Sequence, residues 1–280
     1  MLPGHRKYPT YLAFAGSVDL LVSGALDKQV KAWDCVEYRE VAAHTGHQIG
    51  VTAVACSANG TRAVSGDKSG NLFAWTMGDF RSPELFATMD GRVNSLAYSP
   101  AGEVLASGGG TERQQSIIHI CDAESGSLIR KLEGHSDWVL WVGFNKTGTL
   151  MGSGSYCEVY LWDTKSWKLL QILKPPESER FSTIAYSFSS DNDVFISGGR
   201  SHEEVRHDVH DASGKLLGWN VTHQGLVQLW DLRSGKLNVS IEAHRDSLCC
   251  LAYNQQKDFL ATGSADGVVK IWSLKPGEET

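Results

Sequence analysis

The sequence lacks several features that would assign it to a particular functional class. Six cysteines are present but form no Cys-x-x-Cys pair, so we expect buried, reduced thiols rather than a metal site. No apolar run is long enough to span a membrane, and the first residues do not resemble a signal peptide. With 26 basic and 32 acidic residues the net charge is −6, which argues against broad electrostatic capture of nucleic acid. These absences predict a cytoplasmic protein, or alternatively a nuclear one, that does not bind membranes.

Patterns typical of catalysis are also missing. The sequence shows no nucleophile–base pair, no phosphate-binding loop and no metal-ligand spacing that stands out from its internal repeats. We therefore expect no enzymatic activity, no metal and no cofactor.

Glycine and tryptophan, in contrast, are abundant and regularly placed. The 29 glycines and 9 tryptophans suit many short strands joined by tight turns. Residues 243–273 contain three short apolar runs, LCCLAY, FLATGS and VVKIW, opened by His244 and closed by Trp272. The closing position recurs along the chain with a common spacing of about 42 residues, which predicts a repeat architecture. It is occupied by Trp33, Trp75, Cys121, Trp162, Trp230 and Trp272.

Two dipeptides mark the repeats. A Gly-His pair, or Ala-His in the last case, opens the repeats at Gly4-His5, Gly46-His47, Gly134-His135 and Ala243-His244. A Trp-Asp pair closes them at Trp33-Asp34, Trp162-Asp163 and Trp230-Asp231. With six repeats in register over nearly all of residues 4–273, the chain resembles the WD40-repeat β-propeller family.

The resemblance implies an all-β fold, a single propeller domain over residues 1–280 with six four-stranded blades. The third strand of each blade is expected to end near Asp34, Trp75, Asp122, Asp163, Asp231 and Ser273. The sixth repeat offers only three strands, so the last blade is expected to lack a clear outer strand.

In that family a His, a Ser or Thr, an Asp and the closing Trp hydrogen-bond to one another within a blade, which is a structural role. The matching residues are His5, Ser23, Asp27 and Trp33; His47, Ser65 and Trp75; His135 and Trp162; Trp230; and His244, Thr262, Asp266 and Trp272. The second repeat has Ser69 at the Asp position and the fourth has no Asp in its turn. In the third repeat Met89 stands at the His position and Cys121 at the Trp position, and in the fifth Glu177 stands at the His position.

The fifth repeat carries a long insertion, Arg200–Gln224, between its second and third strands. It contains His202, His207, His210 and His223 together with Leu216, Leu217 and Trp219. Three interpretations stay open: a loop that extends into solvent without a function, a loop that recognises a partner, or metal binding by the histidines, for which the sequence pattern has low specificity.

The resemblance also implies a partner-binding surface on one face of the propeller, at the third and fifth residues after each His position. The expected partner-binding residues are Tyr8, Thr10, Arg92, Asn94, Trp138, Leu140, Arg180 and Ser182, with Trp219 from the insertion. Arg92, Trp138 and Arg180 fall on three consecutive blades and are expected to lie on the same face as the insertion. The competing interpretation is that these repeats have simply diverged from the family pattern without a binding role, with Trp138 partly buried.

Together these patterns predict a non-enzymatic scaffold that binds a protein or peptide, within a multiprotein complex. One alternative is an open propeller that a partner strand, or the rest of a longer chain, completes. An enzyme or metal site in the insertion is an alternative of another class.

Overall fold

The computed structural model describes residues 4–16, 19–111, 116–156, 158–175, 181–189, 193–210, 216–254 and 256–274. Within strands, the side chains of residues 79–82, 181–184, 202–210 and 216–222 are left undescribed. All the regular structure in the described ranges is antiparallel β-sheet, and it forms six sheets. The predicted all-β fold class is therefore confirmed. No helix of the described residues is long and apolar enough to cross a membrane.

The chain divides into two compact units. The first consists of Met1–Ser155 and Trp162–Leu169, and the second of Tyr156–Leu161 and Leu170–Thr280. The first unit contains three complete sheets. Sheet one comprises β1 (Pro9–Phe14), β2 (Leu20–Ala25), β3 (Val30–Asp34) and β4 (Arg39–His44). Sheet two comprises β5 (Val51–Cys56), β6 (Arg62–Asp67), β7 (Asn71–Thr76) and β8 (Asp79–Thr88). Sheet three comprises β9 (Arg92–Tyr98), β10 (Val104–Gly110), β11 (Ser116–Asp122) and β12 (Leu128–Leu132).

The boundary between the two units runs through sheet four, and sheets five and six belong to the second unit. Sheet four comprises β13 (Trp141–Phe144), β14 (Leu150–Gly154), β15 (Val159–Asp163) and β16 (Leu169–Leu173). Sheet five comprises β17 (Phe181–Phe188), β18 (Val194–His210), β19 (Leu216–Asp231) and β20 (Leu237–His244). Sheet six comprises β21 (Leu248–Asn254), β22 (Phe259–Ser264) and β23 (Val269–Ser273).

The third strands end where the repeats predict. They end at Asp34, Thr76, Asp122, Asp163, Asp231 and Ser273, each within one residue of its expected position. Sheet six has three strands in the described part of the chain, with β23 at its edge, as the sixth repeat predicts.

Tight turns join the first and second strands of a sheet. In sheet two the N–H of Ser57 donates to the carbonyl of Arg62, and Gly60 turns the chain with a positive φ of 68°. Residues with a side chain are strained in this region of φ, which glycine occupies freely. The same pattern recurs before β10 at Gly102 and before β14 at Gly148.

The insertion in the fifth repeat differs from the loop that was expected. β18 and β19 continue beyond the sheet as a two-stranded ribbon, whose ladder runs from Glu204 opposite His223 to His210 opposite Leu216. Most of the segment is therefore paired strand. Pairing satisfies the backbone N–H and C=O groups that a solvated excursion would leave to water.

Neighbouring sheets pack through a glycine on the second strand of one sheet and an aliphatic pair on the next. At Gly24, a Cβ atom would lie 2.6 Å from Cγ1 of Val51 and 2.8 Å from Cγ2 of Val54. The two valines therefore rest directly on the glycine backbone, and a side chain at residue 24 would push sheet two away. We call such a glycine a seat and the aliphatic pair that covers it a knob pair.

The same contact recurs at three more junctions. The other seats are Gly66, covered by Val93; Gly108, covered by Val139 and Val142; and, in the second unit, Gly198, covered by Leu248 and Leu251. Sheet packing in each unit thus uses one repeated interlock, which explains why the Ser-Gly or Thr-Gly dipeptide recurs in the second strands.

Candidate functional site

Sheet one contains the complete hydrogen-bonded set that the repeats predict. Nε2 of His5 lies 2.7 Å from Oγ of Ser23, and Nε1 of Trp33 donates to the same oxygen over 2.8 Å. Nδ1 of His5 lies 3.1 Å from the carboxylate of Asp27. Burial opposes ionisation of Asp27, but the N–H groups of Arg6 and Gln29 and the imidazole of His5 outweigh it and lower its pKa. These hydrogen bonds join all four side chains of the set within one blade.

Sheet six repeats this arrangement. His244 contacts Oγ1 of Thr262 over 2.8 Å through Nε2 and the carboxylate of Asp266 over 3.3 Å through Nδ1. Trp272 donates to the same threonine oxygen over 3.0 Å. The hydrogen bonds expected from the repeat pattern are therefore present in sheet six, as they are in sheet one.

Sheet two corrects the sequence prediction in two ways. Its acidic member is Asp67, which lies 2.8 Å from Nδ1 of His47, whereas Ser69 only donates its backbone N–H to that carboxylate. His47 still contacts Oγ of Ser65 over 2.6 Å. Trp75 does not join the set. Its indole N–H is buried without a hydrogen-bond partner in the described structure, and its ring packs against the imidazole of His44.

Sheets four and five keep part of the set. His135 and Trp162 share Oγ of Ser153, at 2.7 and 2.8 Å. In sheet five Trp230 donates to Ser197 over 2.9 Å, and Glu177 lies outside the described residues.

Sheet three departs furthest from the pattern. Cys121 occupies the tryptophan register, opposite Leu105, and burial raises the pKa of its thiol to about 11. A different polar cluster is present: Nε2 of His119 lies 3.4 Å from Asp90, whose carboxylate also accepts a bond from Lys131. Burial lowers the pKa of His119 despite the neighbouring carboxylate, so the imidazole is neutral near pH 7.

The fifth residue after the His position ties neighbouring sheets together. Oγ1 of Thr10 donates to the carbonyls of Gly24 and Val51, at 3.0 and 2.8 Å. Oγ1 of Thr52 donates in the same way to the carbonyl of Val93 in sheet three. Nδ2 of Asn94 donates to the carbonyl of Val139 over 3.0 Å. Thr10 and Asn94 therefore have inter-sheet bonds in addition to their expected partner-binding role, which stays a prediction.

Arg92 and Trp138 lie on either side of one glycine. Arg92 stands opposite Gly110 in the pairing of β9 with β10. Trp138 covers the same glycine so closely that a Cβ atom there would lie 2.5 Å from its Cδ1 atom. The indole N–H donates to the carbonyl of Thr111 over 3.1 Å, which fixes the ring. Both side chains are half-buried.

The donor Nε of Arg92 is buried and has no hydrogen-bond partner among the described atoms. Leaving such a donor unsatisfied costs about 1–3 kcal/mol, and a ligand that brings an acceptor recovers it. Arg92 and Trp138 thus combine a cation that has one unsatisfied donor with a fixed aromatic ring.

The other expected partner residues are less defined. Tyr8 is exposed and Leu140 is half-buried. Arg180 lies outside the described residues, and the side chains of Ser182 and Trp219 are not described, so the expected common face stays a prediction.

A cavity of about 760 Å³ lies between sheets two and three. Arg62 lines it and donates to the carbonyls of Ala123 and Glu124, with its guanidinium 5.4 Å from the ring of Phe86. Tyr98 also lines it; its hydroxyl is buried and has no partner within the described structure, and burial raises its pKa to about 12. Tyr98 therefore stays protonated near pH 7.

The repeated sheets and their internal hydrogen bonds define a class of protein. The family model of the WD domain, G-beta repeat, matches residues 1–34, 38–76, 84–113, 126–163 and 235–273. These segments make up more than half of the chain, which therefore belongs to the WD40-repeat family, whose fold is the β-propeller.

Among curated proteins, the chain is similar to pre-mRNA-processing factor 19 of Oryza sativa subsp. japonica, with 25% identity over 99% of this chain and 49% of that protein. It is also similar to the U3 small nucleolar RNA-associated protein 15 homolog of Xenopus laevis, with 28% identity over 63% of this chain and 37% of that protein. Autophagy-related protein 18 of Schizosaccharomyces pombe is 30% identical over 43% of this chain and 32% of that protein. The chain thus spans about half the length of the processing factor and less of the other two.

Proposed function

We propose that this protein is a non-enzymatic interaction subunit of a multiprotein complex, and that it binds a peptide segment of a partner at Arg92 and Trp138. The observation that carries the proposal is the buried, unsatisfied Nε donor of Arg92 beside an indole held over Gly110. Arginine and tryptophan are the residue types most enriched where interface energy concentrates.

The partner segment that fits this site brings an acceptor and an apolar or aromatic group. A carboxylate would bond the guanidinium of Arg92 with the added strength of a charge-assisted bond. An adjacent side chain would pack on the half-buried indole of Trp138. An acidic segment with one large apolar residue satisfies both requirements.

A scaffold role is favoured over an enzyme because the histidine–carboxylate pairs already have structural partners. His5–Asp27, His47–Asp67 and His244–Asp266 each repeat at the same place in a blade. In the described part of the chain, no group of three or more His, Cys, Asp or Glu side chains could hold a metal ion. The metal interpretation of the insertion falls on His202, His207 and His210, whose side chains are not described.

The names of two relatives refer to pre-mRNA processing and to U3 small nucleolar RNA, which supports a complex in the nucleus over the cytoplasmic one first expected. The net charge of −6 favours protein over RNA as the direct contact of this chain.

The test compares proteins cross-linked in cell extract to the natural chain with those cross-linked to Trp138→Ala, Arg92→Ala and the control Leu85→Ala. Leu85 is an exposed apolar residue on β8, a strand that contains neither Arg92 nor Trp138. A partner at the proposed site is lost with the first two variants and kept with the control. With that partner purified, Trp138→Ala weakens binding by about 2 kcal/mol or more while the melting temperature is kept. Unchanged affinity for both variants would refute the site, and an unfolded Trp138→Ala would show that this residue belongs to the core.

A second candidate is completion of sheet six by a partner strand. β23 forms the sheet edge in the described part of the chain, and such an edge offers free backbone donors and acceptors. Hydrogen exchange tests it: the amides of Val269 and Ile271 should gain protection when the complex forms. Unchanged exchange in a purified complex would contradict strand addition.

A further inference from the structure

The cavity between sheets two and three lies at the opposite end of β9 from Arg92. Arg92 begins this strand, whereas Tyr98, its last residue, lines the cavity together with Gly102 in the turn that follows. A strand advances about 3.3 Å per residue, so roughly 20 Å separate the two ends. The volume of about 760 Å³ is that of a pocket able to hold a ligand. The cavity is therefore a second place for a partner, separate from the site proposed above.

Backbone contacts hold one wall of the cavity in place. In the turn after β11, the carboxylate of Asp122 accepts from the N–H groups of Glu124 and Ser125. Gly126, with a φ of 73°, rests on β8 so closely that a Cβ atom would lie 2.4 Å from the carbonyl oxygen of Phe86. This wall is formed before any ligand arrives, so binding does not have to order it.

The same turn already accepts a guanidinium. Nη1 of Arg62 donates to the carbonyls of Ala123 and Glu124, at 3.1 and 2.8 Å, and its guanidinium lies 5.4 Å from the ring of Phe86. A carbonyl oxygen has two lone pairs and can accept a second bond. Arg62 is thus engaged within the protein, at a rim that suits groups of its own kind.

Two carboxylates at the cavity lack a counter-charge. Glu84 on β8 and Glu124 both line the cavity and are exposed, and neither carboxylate has a hydrogen-bond or ion-pair partner among the described residues. Arg62 is the one basic residue in the described part of the lining. Two acidic groups and one basic group leave the lining with a net negative charge, which is complementary to a basic ligand.

Apolar side chains lie beside these carboxylates. Leu85, next to Glu84, lines the cavity and is 60% exposed, and the half-buried ring of Phe86 lines it as well. An arginine side chain combines a charged head with an apolar stem, so it suits a site of this mixed character.

We propose that this cavity binds a basic segment of a partner protein, in which an arginine enters beside Glu84 and Glu124 and a neighbouring apolar residue packs on Leu85. Arginine is the choice because the lining is negatively charged and its rim already accepts a guanidinium. This proposal is independent of the site at Arg92 and Trp138, which suits an acidic segment. With both sites filled, the chain links two segments of opposite charge at the two ends of β9.

The probe is the dye-labelled, acetylated peptide GLRLG, titrated with purified protein and followed by fluorescence anisotropy. The natural protein should bind it with a Kd below about 1 mM. Glu84→Gln/Glu124→Gln should weaken binding roughly fivefold or more, because it removes both carboxylates and their charge-assisted bonds. The matched control, Glu37→Gln/Glu133→Gln, makes the same change in charge at two exposed residues outside the cavity and should bind as the natural protein does.

Two further variants test the place of binding. Ala101 lines the cavity and is exposed, so Ala101→Trp should obstruct the cavity and weaken binding roughly tenfold or more while the melting temperature is kept. Trp138→Ala should bind the probe as the natural protein does, because the two sites are separate.

Two other ligands test the chemistry of the segment. The peptide GLQLG, which lacks the charge, should bind roughly fivefold or more weakly than GLRLG. N-acetyl-arginine amide, which lacks the leucines, should compete with the labelled peptide only at concentrations roughly tenfold or more above those of unlabelled GLRLG.

Four results would overturn the proposal. The first is a natural protein that does not bind the probe. The second is equal binding by the carboxylate variant and its control, because only the overall charge would then matter. The third is binding that Ala101→Trp leaves intact, which would locate the peptide elsewhere. The fourth is equal competition by N-acetyl-arginine amide, which would assign the cavity to a free guanidinium compound instead of a protein segment.

Discussion

Removing the carboxylate of Asp67 tests the assignment of the acidic residue in sheet two. Asp67 is fully buried and accepts from Nδ1 of His47 at 2.8 Å, from the N–H of Ser69 at 2.8 Å and from the N–H of Asn71 at 3.1 Å. Asp67→Ala leaves these three donors without their acceptor. Removing one partner of a buried pair costs about 3–5 kcal/mol, so we expect a loss of that size in the free energy of unfolding.

Two further variants make the measurement specific. Asp67→Asn keeps one acceptor oxygen and the shape, and should lose about 1–2 kcal/mol. Ser69→Ala removes the side chain that the repeat alignment places at this position, and should change stability by less than about 0.5 kcal/mol because Ser69 contributes only its backbone N–H.

Urea unfolding followed by tryptophan fluorescence and by circular dichroism gives the three values, and agreement between the two probes validates the comparison. A ranking in which Ser69→Ala costs more than Asp67→Ala would refute the reasoning. Equal, small losses for both aspartate variants would show that the carboxylate is not the acceptor that holds His47.

Three other outcomes are expected. Thr52→Val should lower the free energy of unfolding by about 1–3 kcal/mol, measured in urea, because it strands the carbonyl of Val93 between sheets two and three; a neutral effect would contradict that bond. Tyr98→Phe should leave the melting temperature unchanged or slightly raised, because the buried hydroxyl has no partner in the described structure; a clear drop would reveal one. Burial lowers the pKa of His44 and of His119, so the unfolded chain binds more protons than the folded one just below pH 6.5, and stability should fall as pH drops through that window; stability that rises there would contradict the assigned burial.

The sheet order and the ends of the third strands could be predicted because both follow from spacing. In sheets one, two and six the closing tryptophan stands 10 residues after the first residue of a Ser-Gly or Thr-Gly dipeptide, and both members of that relation serve the fold. Ser23 accepts from Trp33, and the glycine that follows it seats the next sheet. Because this dipeptide serves both a hydrogen bond within the blade and the packing of the next sheet, it recurs in the sequence and makes the repeat easy to recognise.

The position of Asp67 could not be predicted from spacing. In sheets one and six the carboxylate lies in the turn after the second strand, at Asp27 and Asp266. In sheet two the carboxylate belongs to Asp67, the last residue of β6, which is two residues closer to the Ser-Gly pair. In the turn that follows, the N–H groups of Ser69 and Asn71 donate to this carboxylate. A different turn shape brings a carboxylate from another position to the same histidine.

The ribbon formed by the insertion could not be predicted for a related reason. Its first arm, residues 202–210, is HEEVRHDVH, which lacks the apolar alternation by which a half-buried strand is recognised. The strands are defined by the backbone pairing of the two arms, from Glu204 opposite His223 to His210 opposite Leu216. Sequence patterning detects strands by alternating apolar residues, and this arm does not show that alternation.

The polar groups of sheets two and three show how the loss of one repeat residue changes its neighbours. In sheet two the acidic role stays filled, but the indole of Trp75 leaves Ser65 and packs against His44, at 5.7 Å between ring centroids. In sheet three other residues replace both the His and the Trp of the repeat. The serine hydroxyl that these two side chains contact in other sheets therefore lacks both of them. Its polar cluster forms instead around Asp90 on the loop that leads to β9, one residue after Met89. Arg92, the residue with the unsatisfied donor, follows two positions later. The sheet with the weakest internal hydrogen-bond pattern thus also contains the binding site that we propose, which agrees with the expectation that departures from local rules concentrate at functional sites.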